Sequence, residues 1–108
     1  MPYCMIANEP GNSSVLIKKE FTLGLPKKNE VIIKNESIGV NFIDIYIRKG
    51  IYSWPPETNN QHLILGSEGA GIIEAIGSEV TKFKIGDRVA FLKTNGGYTS
   101  HRTIEQDF

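Results

Sequence analysis

Leu65-Gly66-Ser67-Glu68-Gly69-Ala70-Gly71-Ile72-Ile73-Glu74-Ala75-Ile76-Gly77 is the stretch that decides how this chain folds. Gly69-Ala70-Gly71 matches the start of a dinucleotide-binding fingerprint. That fingerprint needs a third glycine, and it must follow a strand and open a helix whose free N–H groups meet a pyrophosphate. The third glycine is missing. Ile72 to Ile76 reads as a strand ended by Gly77-Ser78, so no helix N-terminus is supplied. The glycines read instead as points where the backbones of a curved sheet pass closely or bulge. Glu68, flanked by small and apolar residues, is expected to be buried and therefore paired, with Arg88 as the candidate partner.

Working outward, the same extended reading recurs. Val15 to Phe21 and Glu30 to Val40 alternate apolar and polar residues, Leu63-Ile64-Leu65 is a short buried run, and Arg88 to Leu92 and Tyr98 to Ile104 read as strands. Ile85-Gly86-Asp87 and Asn95-Gly96-Gly97 are turn signals. Ile, Val and Thr total 26 residues against 10 for Leu and Ala, which favours pleated surfaces over helices. Many short strands punctuated by turns indicate a mainly β barrel or sandwich. The exception is Phe42 to Lys49, where Phe42/Tyr46 and Ile43/Ile47 have helical i,i+4 spacing. Asn41 stands at the N-cap, Asp44 can return a capping-box bond, Arg48 and Lys49 suit the negative end of the helix dipole, and Gly50 suits C′. On these residues alone Asp44 is a cap, and Tyr46 and Tyr52 are amphipathic packing. Ile51 to Gln61, with Trp54-Pro55-Pro56, reads as irregular.

At 108 residues the chain holds one domain, with no room for a several-unit dinucleotide-binding sheet beside a second domain. Twelve basic residues balance twelve acidic ones without a basic stripe, which argues against nucleic acid as a partner. No apolar run is long enough to span a membrane, and Met1 to Pro10 lacks the pattern of a secretory signal. Cys4 is the single cysteine, so no internal disulfide forms and a cytoplasmic location is expected. Cys4, His62 and His101 lie at no finger or zincin spacing, so no metal site is expected. No Gly-x-Ser-x-Gly elbow is present.

Three segments taken together resemble a known family. Gly39-Val40-Asn41-Phe42-Ile43-Asp44-Ile45-Tyr46-Ile47-Arg48-Lys49-Gly50-Ile51-Tyr52, then Leu65 to Gly71, then Gly86-Asp87-Arg88-Val89 are similar in order and spacing to the N-terminal part of the medium-chain dehydrogenase/reductases. Within these, they resemble the zinc-free, NADPH-dependent quinone oxidoreductases related to zeta-crystallin. The resemblance implies a mainly β, GroES-like β-barrel with one or two short helices over residues 1–108, incomplete at its C-terminal end. The Rossmann domain would lie outside this chain or in a separate one.

Zinc members have a cysteine where this chain has Asn41 and a histidine where it has Ser67, so the resemblance implies no zinc. It implies NADPH as cofactor, a quinone-like small molecule as substrate, and the homodimeric state common in the family. It places Asn41, Tyr46 and Tyr52 in the catalytic cleft and Asn41, Phe42, Asp44 and Tyr46 on the cofactor side. Asn41 and Tyr46 would hydrogen-bond near nicotinamide and acceptor, and Tyr52 would line the quinone site. Without a cofactor domain the chain alone is expected to be inactive. Two rival readings stand beside this one. The first is an enone or enoyl reductase of the same superfamily. The second is a free-standing β-barrel interaction module using Ile51 to Leu65 as a mobile loop.

Overall fold

Glu68 to Ile76 forms one continuous strand, so the glycine-rich stretch is sheet and not a phosphate loop. The computed structural model describes residues 1–54 and 62–108. Among the described residues, seven strands, β1 (Tyr3–Ala7), β2 (Leu16–Glu20), β3 (Glu30–Ile38), β4 (Leu63–Ile64), β5 (Glu68–Ile76), β6 (Arg88–Leu92) and β7 (His101–Glu105), occur with a 3₁₀ turn (Ser13–Val15) and one helix, α1 (Phe42–Arg48). They pair antiparallel as a three-stranded sheet, β2-β1-β4, and a four-stranded sheet, β6-β5-β3-β7.

The two sheets are stitched where Tyr98–Ser100 runs beside β1. Met5 N–H donates to the Tyr98 carbonyl (2.9 Å), Ser100 N–H donates to the Tyr3 carbonyl (2.8 Å), and Cys4 bridges Thr99. They do not close into a complete barrel. The mainly β architecture of short antiparallel strands is as expected from the sequence. So is the α1 span, with a single short helix observed. β1, which carries half of that seam, has no counterpart in the sequence reading.

Burial separates two clusters. Val31, Ile33, Ile73, Phe91 and Ile104 fill the face of the larger sheet, backed by Ile76, Val80, Phe83, Val89 and Phe108. Ile47, Leu63, Leu65 and Tyr98 hold α1 against the smaller sheet, with Met5, Leu16, Trp54 and Ile64 around them. The glycines of β5 have the steric reason inferred from the sequence. A Cβ on Gly71 would lie 2.1 Å from the Lys34 carbonyl oxygen, beside the register shift between Asn35 and Ser37.

Burial of charge differs from expectation. Glu68 is exposed, with its carboxylate lying over Gly39, and Arg88 is exposed as well. Glu68 heads its strand at the open end of the sheet, so its alternation points outward despite its small neighbours. Among the described residues the buried charged ones are Asp44 and Arg102. Arg102 donates from Nη2 to the carbonyls of Lys93 (3.2 Å) and Asn95 (2.7 Å) and lies 4.6 Å over the Phe91 ring. Burial pulls its pKa down. Of the loop expected from Ile51 to Leu65, residues 55–61 lie outside the described residues, and Leu63–Ile64 is β4. Among the described residues no helix is long and apolar enough to cross a membrane.

The close approach at Gly71 predicts that Gly71→Ala lowers the unfolding free energy by about 2 kcal/mol. Gly24→Ala, where nothing lies within 4 Å of an added Cβ, leaves it unchanged within about 0.5 kcal/mol. Urea titration of both variants checks this, and equal midpoints would contradict the steric account.

Candidate functional site

α1 has only 7 residues and cannot persist on propensity alone. Its ends are therefore specified. Asn41 is extended (φ −125°), its N–H donates to Asp44 Oδ2 (3.0 Å), and its carbonyl accepts from Asp44 N–H (3.0 Å). The side-chain NH2 of Asn41, an exposed residue, makes no hydrogen bond among the described residues, and the bond from the backbone N–H to Asp44 secures the cap. This is the returning half of a capping box, a class of contact worth about 1 kcal/mol. At the other end Gly50 takes a left-handed conformation (φ +82°) after Lys49, whose N–H donates to the Ile45 carbonyl.

The helix buries Asp44 and Ile47, one turn apart. Phe42/Tyr46, one of the two i,i+4 pairs in the sequence, therefore faces outward. Phe42 is 75% exposed, Tyr46 42% and Tyr52 54%, a large apolar area left in water for so small a domain. The Tyr46 and Tyr52 rings meet edge to face with centroids 6.3 Å apart. Tyr52 also borders a hollow of about 320 Å³ lined by Ile43, Ile47, Ser53, Thr94 and Asn95. Trp54 closes the C-terminal end of α1, its Nε1–H donating to the Ile47 carbonyl (2.8 Å).

Thus Asn41, Phe42 and Tyr46 stand on one exposed helix and Tyr52 joins them through Tyr46. Asp44 does not stand with them: it is 1% exposed, and its Oδ2 accepts from the Tyr98 hydroxyl (2.9 Å) as well as from Asn41 N–H. Tyr98 is the residue the sequence reading missed. Its signal was an aromatic with a polar tip immediately after the Asn95-Gly96-Gly97 turn, in a stretch otherwise read only as a strand. Burial, followed by the bond to Asp44 and that carboxylate's charge, pushes the Tyr98 phenol well above its ordinary pKa; Arg48 opposes this weakly.

Phe42, Tyr46 and Tyr52 offer exposed aromatic surface, and beyond Tyr52 the hollow is lined by aliphatic and small polar side chains. The glycine-rich stretch offers phosphates no seat. Gly69 and Gly71 are paired across β3 on one side and β6 on the other, so that stretch lies within sheet ladders. Ser67, at the position where zinc relatives have histidine, is buried, and its hydroxyl has no partner among the described residues. His62 sits beside Lys19 (3.4 Å), and burial lowers its pKa; His101 pairs with Glu74 (3.3 Å). Among the described residues, no three His, Cys, Asp or Glu side chains converge.

Comparison with known proteins bears on this site. The alcohol dehydrogenase GroES-like domain family matches residues 27–106. A quinone oxidoreductase of Pseudomonas aeruginosa is 48% identical over 81 residues, covering 75% of this chain and 24% of that protein. Quinone oxidoreductase 1 of Escherichia coli is 43% identical over 98 residues, covering 90% of this chain and 29% of the relative. The chain thus spans less than a third of the length of these curated relatives. The crystal structure of Escherichia coli quinone oxidoreductase complexed with NADPH superposes with a TM-score of 0.87 at 40% identity, over 97% of this chain and 31% of that one.

The raised Tyr98 pKa fixes a sign. The unfolded phenol ionises near 10 and the folded one higher, so the stabilisation is fully present below about pH 10 and is lost as pH rises beyond it. Wild-type stability should therefore fall above about pH 10 more steeply than that of Tyr98→Phe, and the variant should lack a tyrosinate absorbance step above the usual phenol range. Parallel stability profiles would contradict the assignment.

Proposed function

We propose, on the premise that this chain belongs to the alcohol dehydrogenase GroES-like domain family, that it forms the acceptor-side N-terminal part of an NADPH-dependent quinone oxidoreductase that works without zinc. The single observation that carries the reading is the exposed Asn41-Phe42-Tyr46 face of α1, with Tyr52 and the hollow beside it. These are an exposed side-chain amide, exposed aromatic rings of which Tyr46 and Tyr52 meet edge to face, and a hollow bordered by Tyr52. The quinone oxidoreductases of similar sequence, one of them solved with NADPH, support the same reading.

Bound NADPH supplies a hydride from its nicotinamide ring, which together with a proton reduces a quinone. What this chain contributes is binding and orientation. The Asn41 amide offers a donor to a carbonyl oxygen of the acceptor or of the carboxamide on the cofactor ring. The Tyr46 hydroxyl offers a second polar contact. Phe42, Tyr46 and Tyr52 offer flat apolar surface against which a planar ring displaces water, and orienting two rings face to face is where such a site gains rate. Asp44 belongs to the support of this face and not to the face itself. The phosphates of the cofactor are assigned to protein outside these residues, as is any second subunit.

The test is a hybrid enzyme in which this chain replaces the corresponding part of the Escherichia coli quinone oxidoreductase. NADPH-dependent reduction of a naphthoquinone should be retained. Asn41→Ala and Tyr46→Phe should each raise KM for quinone or NADPH about 2- to 10-fold, the value of one hydrogen bond. A hybrid whose kinetics are untouched by both substitutions would remove the site assignment.

A further inference from the structure

We propose that the Tyr98 hydroxyl is a positioning group for the ligand-facing helix: through the buried Asp44 carboxylate it fixes the Asn41 end of α1 against the seam between the two sheets. The two ends of α1 are held unequally. The C-terminal end is tied several times over. Ile47 packs among Leu63, Leu65 and Tyr98, Trp54 bonds the Ile47 carbonyl, and Arg48 exchanges bonds with Gly11 through Nε (3.2 Å) and its own carbonyl (2.9 Å). From Asn41 to Tyr46, by contrast, the Tyr98–Asp44 bond is the one side-chain hydrogen bond to the rest of the fold among the described residues. The two bonded residues are 54 positions apart in sequence.

Tyr98 is built as a fixed post. Its N–H donates to the Leu65 carbonyl (2.8 Å) and its carbonyl accepts from Met5 N–H (2.9 Å), so its backbone is held between β1 and the residue that follows β4. Its ring lies against Gly66, where a Cβ would come within 2.6 Å of Tyr98 Cδ1. A phenol donating to a carboxylate is a charge-assisted bond. Here the carboxylate has little else, because Asp44 Oδ1 has no partner among the described residues and Oδ2 is shared only with the Asn41 amide. Removing the hydroxyl leaves that carboxylate buried on a single backbone donor. The helix end must then shift toward water, and Asn41 and Phe42 with it.

The inference rests on the quinone-reductase reading for what the helix presents, but not for the bond. Its test is hydrogen exchange on this chain, comparing wild type with Tyr98→Phe. The Asn41 and Asp44 amides should exchange at least about tenfold faster, while the Ile33 and Ile73 amides of the core strands keep their rates. Unchanged exchange at Asn41 would overturn the proposal, and so would a uniform acceleration at all four positions, since that is what a merely structural residue gives. If Tyr98→Phe does not fold, Asp44→Asn is read by the same criteria. In the hybrid enzyme, Tyr98→Phe should raise KM for quinone severalfold with little change in kcat. Local exchange with no response of KM to Asn41→Ala would leave the positioning role standing and remove only the quinone-reductase reading.

Discussion

One buried carboxylate ties the N-terminal end of α1 to the rest of this domain. Asp44 accepts from the Asn41 amide on its own helix and from the Tyr98 hydroxyl across the fold. It does so at 1% exposure, where an unpartnered charge is intolerable. A helix of 7 residues gains almost nothing from its own hydrogen bonds. Its position is therefore decided by what it docks against, and at its N-terminal end it docks through this carboxylate. The aromatic and amide groups that face outward are placed as a consequence.

The sheets provide the other half of that arrangement. Tyr98 can act as a post because the segment Tyr98–Ser100 is where the three-stranded and four-stranded sheets are sewn together. Within the larger sheet, β5 and β3 approach so closely that a Cβ on Gly71 would clash with the Lys34 carbonyl. The same glycines that mimic a phosphate loop thus bring the core together. With their residues paired on both sides, that stretch supplies no helix N-terminus for an anion.

Much of this was legible in the residues. The strand reading of Ile72 to Ile76, the turn at Asn95-Gly96-Gly97 and the helix from Phe42 with Gly50 behind it all rest on local rules of period, cap and turn, and local rules act through the nearest few residues. β1 was invisible because Tyr3–Ala7 shows no alternation of apolar and polar residues and gains its order from partners far along the chain. Glu68 was misplaced for a related reason: small neighbours suggest burial, but which face of a strand points inward is set by register. Asp44 illustrates both sides. Its capping role could be read from spacing, while its bond to Tyr98 could not, since nothing in the sequence says which distant hydroxyl arrives there.

The account holds that these residues present a ring-binding face and no cofactor anchor. Titrating the chain while following the fluorescence of Trp54, which is bonded to the last turn of α1, tests this most directly. A naphthoquinone should quench weakly and saturably, and Tyr52→Ala should weaken that quenching, while NADPH should show no saturation in the micromolar range. Micromolar saturation by NADPH, or quinone quenching indifferent to Tyr52, would contradict it.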